Sequence, residues 1–252
     1  MVGGVKFEHT HRMIAEFVGL LTILFSIATF RADERKWLQR LSLGAIGIVI
    51  TQGILGGITV LHFLPWYVSS LHAALGQTFF SIVVLMVLYT GRKWTIVPAT
   101  MIVENATLST RTLTILCIVI LYVQLFFGAA FRHSGISIAA HLINVIFTVG
   151  LVAWTAIRVL SWYGEVDSLR RLAATMIALL FVQLGLGFIA YLTRVMWGKD
   201  AVQPLFAMVV STVAHVTVGA LLLATAFVME EQIRRIVVSE RSRVGRRELS
   251  AA

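Results

Sequence analysis

Seven apolar stretches of about 20 residues, each long enough for the hydrocarbon core of a bilayer, alternate with short polar connections. The pattern predicts helices over about 12–30, 41–63, 71–90, 113–131, 139–163, 172–193 and 205–229. The connection at 91–112 is the longest and carries Arg92, Lys93 and Arg111, so it divides the chain. Residues 1–91 then form an N-terminal half-bundle of three helices, 92–112 a linker, 113–230 a C-terminal four-helix bundle, and 231–252 a basic tail.

Composition agrees with the spans. With 58% hydrophobic and 13% charged residues, a water-soluble domain is excluded, and the fold class is all-α integral membrane. The net charge of +9 lies in the connections on one side and in the tail. It therefore reports topology rather than nucleic-acid binding. Lys and Arg are rich after the first, third, fifth and seventh spans. The positive-inside rule places that side in the cytoplasm, with the N-terminus outside and the C-terminus inside. Trp66, Tyr67 and Trp197 are then expected at the outer interface, and Trp37, Trp94 and Trp162 at the inner one. The tail from Arg234 to Arg247 reads as a solvated, lipid-facing segment. A single cysteine, Cys117, permits no disulfide within one chain. No cleavable signal or transit peptide is expected before the first span.

An internal repeat runs through the spans. Gln52-Gly53-Ile54-Leu55-Gly56 precedes His72, Gln124-Leu125-Phe126-Phe127-Gly128 precedes His141, and Gln183-Leu184-Gly185-Leu186-Gly187 precedes His215. Each unit is a helix bearing Gln-x-x-x-Gly, an outer turn, and a helix bearing His. His11 is the second half of a fourth unit whose first helix is absent, so the parent architecture has eight helices in two pseudosymmetric four-helix halves. The stretch before the first span is chemically dense. Glu8 and His11 share a helix face, as do Arg12 and Glu16, and charges at a bilayer edge are functional suspects.

A lone intramembrane histidine is commonly a hydrogen-bonded packing residue, and the glycines can equally serve plain helix packing. Four histidines at equivalent places ask for more. A bundle builds cofactor sites from facing helices, and two imidazoles from two helices suit the axial positions of a haem iron. Zinc or copper wants three or four close ligands, and beside the histidines only Glu8 offers one. Ala73, Ala74, Gly76, Ala139, Ala140, Ala214 and Gly219 leave room for a flat ring. Arg12 and Arg132 are candidates to meet its carboxylates, and Gln77 to hydrogen-bond near it. His9, His62 and His133 read as interfacial imidazoles.

These residues resemble the haem A synthase family of bacteria and mitochondria. The matches are Glu8-His9-Thr10-His11-Arg12, of the form Glu-x-x-His-Arg, the run Val68-Ser69-Ser70-Leu71-His72-Ala73-Ala74-Leu75-Gly76-Gln77, the turn Arg132-His133-Ser134-Gly135, and His215. The resemblance implies oxidation of the C8 methyl group of haem O to a formyl group, giving haem A for terminal oxidases. It implies that His11 and His72 handle haem O, with Glu8 as the essential carboxylate, while His141 and His215 ligate haem b. Haem O synthase would be the supplier, the electron acceptor is not specified, and the bacterial cytoplasmic membrane would be the location. The family's first helix and its outer loop, which often carries a cysteine pair, have no counterpart in the sequence. A neighbouring copy in a homo-oligomer, or another protein, would wall the first site. The competing expectations are a non-enzymatic haem b carrier or haem-holding subunit, and a transporter or structural bundle without haem.

Overall fold

The computed structural model describes residues 3–61, 65–95, 101–133, 135–198, 201 and 205–239; the side chains of residues 3–8, 59–61, 93, 95 and 239 lie outside that description. The chain divides into two compact units, Met1–Thr95 and Ile96–Ala252.

The first unit holds α1 (Gly3–Ala32), α2 (Lys36–Leu61), α3 (Trp66–Thr90) and the single turn α4 (Arg92–Thr95). α1 packs on α2, and α2 on α3. Both α1 and α2 begin earlier than the apolar pattern predicts, because that pattern sees only the part of a helix in contact with lipid. The first connection shrinks to Asp33-Glu34-Arg35. Arg35 donates to the Asp33 carboxylate (2.5 Å) and to the Tyr89 carbonyl (3.0 Å), tying the start of α2 to the end of α3. The Arg35 hydrogen bond holds the Asp33 carboxyl below its ordinary pKa. Leu38, Ala45, Met86 and Tyr89 form a small core at this end, with Trp37 and Trp94 edge-on to Tyr89.

The second unit holds β1 (Ile102–Glu104), α5 (Thr110–Arg132), α6 (Ile138–Tyr163), α7 (Asp167–Tyr191), a π-helical turn (Leu192–Met196), α8 (Phe206–Ile236) and β2 (Val237–Ser239). Serine caps start two helices: Ser109 Oγ accepts from Thr112 N–H, and Ser137 Oγ from Ala139 N–H. α5 packs on α6, α6 on α7, α7 on α8, and α8 back on α5, closing a four-helix ring. The apolar core runs through Cys117–Leu121, Val152–Tyr163, Leu169–Leu180 and Leu222–Ile233. It fills one half of the bundle and stops before the level of Gln124, Asn144, Gln183 and His215.

Among the described residues seven helices are long and apolar enough to cross a membrane, so this is a multi-pass membrane protein. Their exposed surfaces are apolar, as on α1 at Met13, Phe17, Leu20, Leu24 and Phe30, which suits a lipid solvent rather than water.

The expected linker and tail carry structure that an all-helical reading omits. β1 and β2 pair in parallel, Ile102 opposite Val237 and Glu104 opposite Ser239, and α8 runs on to Ile236. Below the ladder Glu104, only 6% exposed, accepts from the Thr110 backbone N–H (3.0 Å) and from the Thr110 hydroxyl. Arg158 reaches the same carboxylate at 3.4 Å, donates to the Leu108 carbonyl at 2.6 Å, and stacks on Trp162. A carboxylate at a helix start answers the free N–H groups there, and the strand delivers it.

Candidate functional site

The repeated histidines meet in pairs, one pair in each unit. The His11 and His72 ring centroids are 6.5 Å apart with planes at 79°. The His141 and His215 centroids are also 6.5 Å apart, at 74°. Metal–imidazole bonds of about 2 Å, with ring centres about 1 Å further out, put two opposed rings about 6 Å apart. Each pair is therefore spaced to share one metal ion. Among the described residues no group of three or more His, Cys, Asp or Glu side chains could hold a metal. Two facing imidazoles would suit a metal whose remaining donors come from a macrocycle better than a tetrahedral site.

The Gln-x-x-x-Gly segments explain the placement. In the second unit His141 on α6 and His215 on α8 face one another across the ring, and α5 and α7 between them carry the glutamines. Glycine clears the space for each ring. A Cβ at Gly128 would stand 3.1 Å from His141 Cε1, and one at Gly187 3.0 Å from His215 Cε1. Gly56 plays the same part more loosely toward His72, at 3.5 Å. Glycine on the histidine helix then admits the amide, since a Cβ at Gly219 would meet Gln183 Nε2 at 3.1 Å and one at Gly76 would meet Gln52 Nε2 at 2.9 Å.

The amides orient the rings. His215 Nδ1 lies 3.2 Å from the Gln183 carbonyl. A carbonyl only accepts, so the proton is on Nδ1 and Nε2 carries the lone pair. Gln183 Nε2–H meets that lone pair at 3.3 Å. A backbone carbonyl that fixes the tautomer in this way is the usual support of an Nε2 metal ligand. Gln124 Nε2 lies 3.2 Å from both nitrogens of His141, and Gln124 Oε1 accepts from Asn144, which is linked to Thr148. In the first unit Gln52 Nε2 donates instead to the His72 backbone carbonyl at 2.9 Å.

Six buried side-chain polar atoms among the described residues have no hydrogen bond. Five lie at this level: Gln52 Oε1, His72 Nδ1, Gln183 Oε1, and the hydroxyls of Ser69 and Thr212. Ser69 and Thr212 stand three residues before His72 and His215, on the same helix faces. Unmet polar atoms gathered at two equivalent places are what a bound polar ligand would complete.

The other sequence candidates are placed as follows. Glu8 also precedes its histidine by three residues and belongs to α1, but its side chain is outside the described residues, as is His62. His11 and Arg12 are exposed on α1. Gln77 is buried on α3, and the amides at the histidines are those of Gln52, Gln124 and Gln183 instead. Arg132 ends α5 beside His133. Burial, and then the charges of Arg132 and Arg194, push the His133 pKa down. The sequence reading passed over Asn144, Thr148 and Arg194. Asn144 and Thr148 were visible as polar residues three and seven places after His141 on one helical face.

Residues 5–136, just over half of the chain, match the COX15-CtaA family model, described as cytochrome oxidase assembly protein. No curated protein and no solved structure matches the chain.

Proposed function

The chain belongs to the cytochrome oxidase assembly protein family, the family of haem A synthases, and we propose that it oxidises the C8 methyl group of haem O to the formyl group of haem A. Water supplies the oxygen, and four electrons and four protons leave. The observation that carries this reading is the pair of matched histidine sites, each 6.5 Å across and each backed by Gln-x-x-x-Gly.

In this reading His11 and His72 hold the substrate iron in the first unit. Glu8, three residues before His11 on α1, is the base that accepts a proton from the attacking water. Arg12 meets a substrate carboxylate. In the second unit His141 and His215 would hold haem b, which would supply one-electron transfer. Gln183 fixes the His215 tautomer, Gln124 orients His141, and the packed half of the bundle excludes water from beneath the ring. The enzyme sits in the bacterial cytoplasmic membrane with its N-terminus outside. Haem O arrives from the lipid or from haem O synthase, and an acceptor protein removes electrons.

The test is haem extraction after co-expression with a haem O synthase. Wild type yields haem A, while Glu8→Ala and His11→Ala insert normally and accumulate haem O. Full haem A from either variant rejects this assignment of the first site. The equal spacing of the two pairs also fits a second reading, a haem b electron carrier. Extracts holding haem b alone would establish the carrier instead.

A further inference from the structure

Three basic groups crowd the histidine end of the second unit, and the histidine pair does not account for them. Arg132 is the last residue of α5 and His133 follows it. Arg194 comes from the π-helical turn after α7, donates from Nη2 to the Arg132 carbonyl at 2.9 Å, and lies over the Phe131 ring. The π-turn is firmly held. Thr193 Oγ1 donates to the Ile189 carbonyl (2.9 Å) and meets Ser211 Oγ on α8 at 2.9 Å, while Trp197 N–H closes on the Leu192 carbonyl. Such wide turns are frequent at functional places. This one brings the Arg194 guanidinium to the end of a helix that is not its neighbour in sequence.

Among the described residues no carboxylate answers Arg132, His133 or Arg194. Their charges raise one another's energy, which is part of why the His133 pKa is pushed down. Cations within the membrane are normally paired, and the ion pairs found elsewhere in this unit show that the chain supplies partners to other arginines. Position narrows the missing anion. Arg132 lies eight residues beyond Gln124 and Arg194 eleven beyond Gln183, about 12 and 16 Å of helical rise. Both residues therefore stand about two to three helical turns beyond the level of His141 and His215, toward the end of the bundle.

We propose that Arg194 and Arg132 form a two-guanidinium clamp for the peripheral carboxylates of the tetrapyrrole held by His141 and His215. The inference rests on the haem reading of that pair. Arginine suits the task because its planar fork matches a carboxylate and its charge does not titrate. The Arg194–Arg132 carbonyl bond fixes one fork and leaves its other N–H groups for the ligand. A lipid phosphate could use the same chemistry, so the test has an arm for it.

The haem-depleted full-length chain in nanodiscs of zwitterionic lipid is titrated with haem b and with haem b dimethyl ester, and Soret absorbance reads the affinity. Arg194→Gln should weaken the free acid about tenfold, the usual worth of a charge-assisted hydrogen bond, and leave the ester unchanged. Arg194→Lys should recover part of the loss, and the bis-imidazole spectrum should be the same in all. Equal weakening of acid and ester would make Arg194 a structural brace and overturn the clamp. So would unchanged binding of both, or a loss that appears only when phosphatidylglycerol is added and competes. If wild type binds neither ligand, the haem reading itself fails. If wild type binds the free acid while Arg194→Gln matches it, only the clamp fails.

Discussion

Gly187→Ala and Gly185→Ala, two places apart on α7, should behave oppositely. A methyl group at 185 meets nothing within 4 Å, whereas one at 187 would stand 3.0 Å from His215 Cε1 and 3.4 Å from Nδ1. Carbon atoms rest at about 3.5–4.0 Å, so the ring must retreat by about 0.5–1 Å. The Nδ1–Gln183 carbonyl bond, already 3.2 Å, then passes beyond hydrogen-bonding range. That loss costs about 1 kcal/mol, offset by about 0.5–1 kcal/mol from replacing a helical glycine with alanine. Thermal stability should therefore change little. The ligand, however, is displaced and its tautomer released, and such supporting contacts are worth about 10–100-fold in metal affinity. Gly185→Ala should be neutral or slightly stabilising with normal haem content. Gly128→Ala should resemble Gly187→Ala, and Gly56→Ala, with 3.5 Å to His72, should be tolerated. Haem-to-protein ratio by pyridine haemochrome, beside a thermal melt in detergent, checks the series. Equal haem in Gly187→Ala and Gly185→Ala would refute the cradle.

Gln183→Ala removes the side-chain amide that meets His215 Nε2 but keeps the backbone carbonyl at Nδ1, so the bundle should stay folded and haem affinity should hold or rise, measured by Soret titration. Glu104→Ala leaves Arg158 buried without its carboxylate and uncaps α5, so the second unit should lose about 3–5 kcal/mol, read as a large fall in melting temperature. His133 gives a pH signature. Its pKa is lowered in the fold, so the unfolded chain binds the proton more readily and stability rises with pH. That contribution is complete above the ordinary histidine value of about 6.5 and is lost as pH falls through the folded value. His133→Gln should flatten the profile there, and melting temperatures at stepped pH will show whether it does.

The spans were legible because a bilayer demands long apolar helices, a signal that survives without any alignment. The pairing of histidines was legible from the repeat, since equivalent positions in equivalent helices point into equivalent places. The role of the glutamines was not. A Gln four residues from a Gly looks like close helix packing until the imidazole from the next helix is seen in the gap. Arg194 escaped because the π-turn changes its direction relative to the regular helix, and no local pattern announces that turn. Glu104 escaped for a different reason. Its partner Arg158 is more than fifty residues away, and its strand is made by a segment at the far end of the unit.

The two histidine sites share a spacing but not a degree of support, and that difference fits a division of labour. In the second unit both rings receive an amide directly, and His215 has its proton position fixed by a carbonyl. Such ligands are ordered before anything binds, so little freedom is lost on binding and a group held there stays. In the first unit the corresponding amide goes to the His72 backbone, His72 Nδ1 has no partner, and His11 is exposed. Those rings must be ordered by whatever they bind, which weakens the hold. A resident electron carrier needs the first kind of site. A substrate that must leave as product needs the second, because a ligand pair as rigid as His141 and His215 would keep the product in place.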